Sequence, residues 1–230
     1  MTDTPILFSA PMVRAILREI ENPGSGKTQT RRMLRNPEYY GCPTGDCPHE
    51  FQMECNLAMA NLPHDARGYV IGDRLWVREA WGAYAEYDKL SGKELFAAVQ
   101  KSGCDTAIRY NATCAPGALQ GGDGIFGRYR HARFMPRWAS RLTLSVTDVR
   151  VERLQDISEA DAMAEGVERA AGLDQWRDYG PQPLTMLSAK ASFGSLWQSI
   201  NGDREGKSWA DNPWIVAISF EAEERNIDHD

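Results

Sequence analysis

The chain lacks any long apolar run in its 230 residues. No stretch approaches the roughly 20 consecutive apolar residues that a membrane-spanning helix needs, and the first residues, MTDTPILFSAP, resemble no secretory signal. Its five cysteines are odd in number and scattered, unlike the disulfide framework of a small secreted domain. We therefore expect a cytoplasmic protein without a membrane partner.

The chain also has fewer basic than acidic residues. The 26 lysines and arginines face 32 acids, which gives a net charge of -6. This balance excludes a surface uniformly coated with cations for gripping nucleic acid. It owes much to the acidic tail 221–230, where five acids face Arg225 alone.

One segment, RYRHARFMPRWASR at 128–141, nevertheless contains five arginines and no acid. Aromatic residues are interleaved with them, so the segment could follow phosphates and stack bases. The candidate nucleic-acid contacts are Arg128, Arg130, Arg133, Arg137 and Arg141. The alternative interpretation is a solvated face whose guanidinium groups pair with acids elsewhere in the fold.

Hydrophobic periodicity predicts a mixed α+β domain. Helices are expected over about 10–21, after Ser158 until Gly166, and around 193–200. Strands are expected over 69–80, 141–153 and 213–222, the second with a bend at Thr147-Asp148. Three segments without clear periodicity are interpreted as insertions in a single domain covering 1–230; they lie at about 36–68, 82–135 and 168–191.

The string GSGKT invites comparison with a phosphate-binding loop. The full pattern requires a glycine at position 21, where this chain has Glu21, and it requires a preceding strand, whereas a helix is predicted here. Nucleotide triphosphatase activity is therefore disfavoured.

An amphipathic helix, a glycine turn and K-x-x-T-x-R at 27–32 resemble instead the signature of the ASCH family within the PUA-like superfamily. Three further segments agree in order: GDRLWVREAW, LTLSVTDVRVERLQDISEADAMAEGV and NPWIVAISFE. The whole looks like the longer ASCH-type proteins of bacteriophages and prophages. The resemblance implies a small mixed β-barrel flanked by helices, with large loop insertions.

Small bacterial members of that family are amidohydrolases that remove the acyl group from N4-acetylcytidine with a lysine, a threonine and a glutamate. The resemblance puts these residues at Lys27, Thr30 and Glu165. It implies a nucleoside substrate and no cofactor for catalysis. Candidate substrate-binding residues are Arg31, Arg32, Trp76, Glu79, Trp81 and Trp138, although each tryptophan could equally fill the core.

These three residue types suit amide hydrolysis. A threonine hydroxyl attacks only if a base accepts its proton, and a lysine can do so if its pKa falls from about 10.4 towards neutrality. Burial and the neighbouring Arg31 and Arg32 would lower that pKa, while a desolvated Glu165 could protonate the leaving nitrogen. Taken singly, each residue could also have an ordinary structural role.

The first predicted insertion contains four soft or borderline metal ligands in a stretch of 14 residues: Cys42, Cys47, His49 and Cys55. They could hold a structural zinc ion, although the spacing is not that of a standard finger. The alternative is that the three cysteines are plain buried or exposed thiols. Two other functions stay open beside the amidohydrolase. One is an RNA or single-stranded nucleic acid binder, or a nuclease; the other is a phage accessory or assembly module.

Overall fold

The protein is described from a computed structural model over residues 3–34, 68–102, 107–115, 119, 125–170, 172, 174–181 and 185–229. Nine strands lie in these ranges: β1 (Asp3–Leu7), β2 (Gln29–Met33), β3 (Arg74–Arg78), β4 (Trp81–Ala83), β5 (Ile108–Tyr110), β6 (Thr143–Arg153), β7 (Trp176–Arg177), β8 (Thr185–Met186) and β9 (Trp214–Glu223). Four α-helices accompany them: α1 (Ala10–Glu21), α2 (Gly92–Ser102), α3 (Glu159–Ala164) and α4 (Ala189–Asn201).

The chain divides into two compact units. The first contains 1–23, 73–145 and 222–230, and the second contains 24–72 and 146–221. We refer to them as unit 1 and unit 2.

Unit 1 is built on a parallel pair of strands. β1 and β3 pair in register from Asp3 opposite Arg74 to Leu7 opposite Arg78, and β3 also pairs antiparallel with the first residues of β6. A second antiparallel pair joins β4 to β5. A small apolar core that includes Trp81 from β4 lies in this unit.

Unit 2 contains the antiparallel pair of β2 and β9, with Gln29 opposite Ser219 and Arg31 opposite Ala217. Residues alternate between the two faces of a strand, so these four side chains share one face. Ala217 and Ile215 on that face belong to a core that also includes Phe193 and Trp197 of α4. The helices of unit 2 therefore cover the face that carries Gln29 and Arg31.

The main sheet has the strand order β1-β3-β6-β9-β2. Among the described residues, β1 and β2 are the two edges of this sheet, so it is not a closed barrel. The predicted small β-barrel is therefore corrected to an open mixed sheet with helices. Alternation of apolar residues identifies strands, but closure depends on pairing between the edges, which alternation does not encode.

Several predicted elements are confirmed. The predicted helix over 10–21 is α1, the predicted strand over 213–222 is β9, and the predicted helix around 193–200 is the central part of α4. Within the 141–153 segment, Thr143–Arg153 form one continuous strand, β6, rather than two. Its buried apolar residues nevertheless change from even to odd positions, from Leu144 and Val146 to Val149 and Val151, across Thr147-Asp148, the site of the predicted bend. The predicted insertion at about 82–135 contains α2 and β5 as well as part of β4.

Candidate functional site

Helix α3 begins and ends at residues that the sequence marks. The Ser158 hydroxyl accepts a hydrogen bond from the backbone N–H of Asp161 at 3.0 Å, which caps the first turn. At the other end Gly166 has φ +84, a left-handed conformation that glycine adopts at little cost. Since Asp161 and Glu165 are four residues apart, their side chains lie on the same side of the helix.

The end of α3 lies beside the chain that enters β2. The backbone N–H of Thr28 donates to the carbonyl of Ala164 at 2.9 Å, while Phe220 of β9 donates to the carbonyl of Thr28 at the same distance. These bonds fix the residue that follows Lys27 between the helix and the strand. The neighbouring side chains of Lys27 and Glu165 are thereby brought together.

Lys27 and Glu165 form a direct buried contact. The Lys27 Nζ lies 2.5 Å from Glu165 Oε2 and donates a second hydrogen bond, at 2.9 Å, to the backbone carbonyl of Glu165. Lys27 is 0% exposed and Glu165 is 5% exposed. An amine and a carboxyl group are thus held within hydrogen-bonding distance in a site that excludes bulk water.

Arg31 holds the other carboxylate oxygen. Its Nη1 donates to Glu165 Oε1 at 3.2 Å and to Gln29 Oε1 at 2.6 Å, and its Nη2 donates to Glu152 Oε1 at 2.6 Å. Asp161 Oδ2 lies 3.7 Å from the same Nη2. The guanidinium group therefore orients Glu165, because moving that carboxylate would also break contacts to Arg31.

The network continues outwards to the surface. Gln29 donates to Asp161 Oδ1 at 3.0 Å, and Arg150, which is 41% exposed, donates to the same oxygen at 3.0 Å. Hydrogen bonds and charges thus run without a break from the buried Lys27 to a residue in contact with solvent.

Thr30 is buried, at 1% exposed, and stands opposite Ile218 of β9. It alternates with Gln29 and Arg31, so its side chain points to the other face of β2, as does that of Arg32. The contacts described here therefore join the predicted amine and carboxyl groups directly. None of these described contacts involves the Thr30 hydroxyl, so its catalytic role stays a prediction.

Burial dominates the electrostatics of Lys27. Desolvation lowers the pKa of the Lys27 amine, and the charges of Arg32 and Arg31 act in the same direction, while the contact with Glu165 opposes them. The net shift is downward, towards the neutral amine that a general base requires.

Hydrogen bonds decide the electrostatics of Asp161. Burial raises its pKa, but hydrogen bonds from Ser158, Gln29 and Arg150 outweigh that effect and lower the pKa of Asp161 to about 2. Asp161 is therefore ionised at neutral pH and supplies a fixed negative charge beside Arg31.

The remaining predicted substrate-binding residues belong to unit 1. Trp81 and Trp138 pack edge to face, with ring centroids 6.3 Å apart, and contribute to the core of that unit. Trp76 is 8% exposed and carries the Arg78 guanidinium 5.1 Å from its ring. Within unit 1 these rings are packed against neighbouring groups, and their role in substrate binding stays a prediction.

Glu79 has its own ion pair in unit 1. Its two carboxylate oxygens accept hydrogen bonds from Arg141 at 2.9 and 3.2 Å. Burial raises the pKa of Glu79, while Arg141 opposes that shift. Its described polar contacts thus account for both carboxylate oxygens.

Three of the five candidate nucleic-acid arginines are engaged in close ion pairs. Arg137 contacts Asp3 and Asp228, both at 2.6 Å. Arg130 contacts Asp88 at 2.8 Å, and Arg141 contacts Glu79 as described above. For these three residues the structure has the intramolecular pairing that was the alternative to phosphate binding. Arg128 lies farther from its acid, with Nε 4.0 Å from Asp88 Oδ1, and both Arg128 and Arg133 are exposed.

The candidate zinc ligands Cys42, Cys47, His49 and Cys55 lie outside the described residues. Within the described ranges, no group of three or more histidine, cysteine, aspartate or glutamate side chains could hold a metal ion. The carboxylates around Arg31 do lie close together, but lysine and arginine nitrogens contact them, as set out above.

Sequence reasoning missed the acids and the amide that surround Arg31. Two signals could have found them. The alternation of Lys27, Gln29 and Arg31 indicates three long polar side chains on one side of the chain, and the four-residue spacing of Asp161 and Glu165 indicates two carboxylates on one helical face. Glu152 carries no comparable local signal.

No family model, no curated protein and no solved structure matches this chain. None of the described helices is long and apolar enough to cross a membrane.

Proposed function

We propose that the protein is a cytoplasmic ASCH-type amidohydrolase that removes an acyl group from a modified pyrimidine nucleoside such as N4-acetylcytidine. One observation carries the proposal: the buried contact of Lys27 Nζ with the Glu165 carboxylate at 2.5 Å. The resemblance of the sequence to the ASCH family supplies the substrate class.

A single proton shared by this pair can supply both the base and the acid. Lys27 in its neutral form takes the proton of the nucleophile and passes it across the 2.5 Å contact to Glu165, which then delivers it to the leaving group. Burial favours the neutral amine, because the charged form of Lys27 loses hydration there. Arg31 and the backbone contact of Glu165 hold the two groups in place while the proton moves.

In the proposed reaction a rearrangement that exposes Lys27 first brings the amine and the Thr30 hydroxyl together, since Thr30 points to the other face of β2. The hydroxyl then attacks the acyl carbon and its proton passes to the Lys27 amine. The tetrahedral intermediate then collapses, the C–N bond breaks, and the leaving nitrogen takes a proton from Glu165. Water hydrolyses the resulting threonine ester and releases the carboxylic acid. General acid and base groups each contribute typically about 10²- to 10⁴-fold in such steps.

The burial of Lys27 bears on how substrate arrives. A side chain that is 0% exposed contacts a substrate only after neighbouring groups rearrange. We therefore expect binding to involve a conformational step, as in enzymes whose sites close around substrate.

The proposal is tested by incubating purified full-length protein with N4-acetylcytidine and separating the products by chromatography. Cytidine and acetate are expected in equal amounts. Thr30→Ser keeps a hydroxyl and should retain activity, whereas Thr30→Val keeps the shape and should lose it. Full activity of Thr30→Val would assign the attack to water, and no turnover of any acylated nucleoside would contradict the proposed function.

A further inference from the structure

Three cavities follow one another along the segment 128–138 in unit 1. Their volumes are about 380, 490 and 510 Å³. Tyr129 and His131 line both the 380 and the 490 Å³ cavities, and Gly92 and Pro136 line both the 490 and the 510 Å³ cavities. The three cavities are therefore neighbours that share walls, and we call this row of cavities the 128–138 groove.

Aromatic rings are available along this groove. Tyr129 and His131 pack edge to face, with ring centroids 5.1 Å apart. Phe134 lines the 490 Å³ cavity and is 61% exposed, and Phe96 lines the next cavity and is 40% exposed. Exposed rings in a row offer stacking surfaces for planar ligand groups.

Exposed cations lie beside these rings. The Arg128 side chain is 67% exposed and lines the 490 Å³ cavity. Arg133 is exposed, lines the 380 Å³ cavity and has its guanidinium 4.8 Å from the Phe134 ring centroid. Arg130 is held closely by Asp88, at 2.8 Å, whereas the Arg128 Nε lies 4.0 Å from the same carboxylate oxygen. None of the described residues that line the three cavities is acidic.

We propose that the 128–138 groove binds a short stretch of single-stranded nucleic acid. Arg128 and Arg133 would contact phosphates, and Tyr129, His131 and Phe134 would stack bases. Each cavity is within the size range of a small-ligand site, so a run of three suits an extended ligand rather than one small molecule. Repeated planar groups and repeated negative charges are the chemistry that alternating aromatic and basic side chains recognise.

This proposal is independent of the proposed amidohydrolase activity. It concerns unit 1 alone, and it predicts binding without turnover. A protein that fails to hydrolyse acylated nucleosides could still bind a strand here, and an active hydrolase could fail to bind one.

The test is fluorescence anisotropy of the full-length protein with fluorescein-labelled oligocytidine of about eight nucleotides, as RNA and as DNA. Saturable binding that weakens with salt is expected. The double variant Arg128→Glu/Arg133→Glu should weaken binding at least about tenfold and reduce the salt slope by about 1.4, since each single-strand phosphate contact contributes about 0.7. Phe134→Ala should weaken binding about tenfold through lost stacking.

Arg14→Glu is the matched control, because Arg14 is an exposed arginine of unit 1 that lines none of the three cavities. Its affinity should stay at the wild-type value, and circular dichroism melting should show all variants folded. Absence of saturable binding by both oligonucleotides would overturn the proposal. So would unchanged affinity of both groove variants, or equally strong competition by cytidine monophosphate or an oligoglutamate peptide. A preference for RNA or DNA would identify the source of the strand.

Discussion

The amine of Lys27 lies 2.5 Å from Glu165 Oε2 and 2.9 Å from the backbone carbonyl oxygen of the same residue. One glutamate therefore contacts the lysine through both its side chain and its main chain. Its second carboxylate oxygen is held by Arg31 at 3.2 Å. Contacts to both carboxylate oxygens and to the backbone carbonyl of Glu165 therefore fix the position of the carboxyl group relative to the amine.

The first prediction concerns the pKa of Lys27. Desolvation lowers this pKa and Glu165 opposes the shift, so the amine should titrate below its ordinary value of 10.5. Glu165→Gln removes the opposing charge and should move the midpoint lower still. NMR titration of the Lys27 ¹³Cε resonance measures both values. A midpoint at or above 10.5 in the wild type would rule out Lys27 as a base near neutral pH.

The second prediction concerns stability. Glu165→Met leaves the buried Lys27 amine without its carboxylate and should cost about 3–5 kcal/mol of unfolding free energy, the usual effect of breaking a buried ion pair. Lys27→Met/Glu165→Met removes both groups and should be less destabilising than the sum of the two single changes.

Urea denaturation of the single and double variants gives the coupling energy of this pair. Asp174→Asn is the control, since it removes a surface ion pair with Arg169 and should leave the denaturation midpoint unchanged. Additive single and double effects would show that Lys27 and Glu165 do not interact energetically.

The third prediction concerns acid stability. The pKa of Asp161 in the folded protein is about 2, against 3.8 for an unperturbed aspartate. Its stabilising contribution, about 2 kcal/mol, is therefore fully present above the unfolded-state pKa and is lost as pH falls from about 4 to 2. Denaturant unfolding between pH 6 and about 2 should show this loss, and Asp161→Asn should lose less stability over the same interval. An equal pH dependence in both proteins would contradict the assignment.

Local signals predicted the elements around the site well. Ser158 followed by an acid at the third position predicts the start of α3, and Gly166 predicts its end; both are confirmed. Hydrogen bonds within a few residues determine such features, so a single sequence contains the information.

Long-range pairing could not be predicted in the same way. Arg137 lies 134 residues from its partner Asp3 and 91 residues from Asp228. Nothing in the composition of 128–141 specifies these partners, because ion pairs between distant segments depend on the completed fold. For the same reason Glu152 was missed as a contact of Arg31.

Closure of the sheet is a second feature that the sequence alone could not predict. The resemblance to a barrel family implied closure, whereas the described strands form an open sheet with β1 and β2 at its edges. Alternation in Trp214, Val216, Ile218 and Phe220 predicts a strand but not its neighbours.

The most direct test of the account is the kcat/KM of Lys27→Ala for N4-acetylcytidine, measured beside Lys190→Ala. Lys190 is a half-buried lysine of unit 2 whose described contacts to Glu159 involve its backbone N–H. Lys27→Ala should lower kcat/KM by at least about 10²-fold while retaining a folded circular dichroism spectrum, and Lys190→Ala should keep the wild-type rate. Equal rates for the wild type and a folded Lys27→Ala would contradict the central claim.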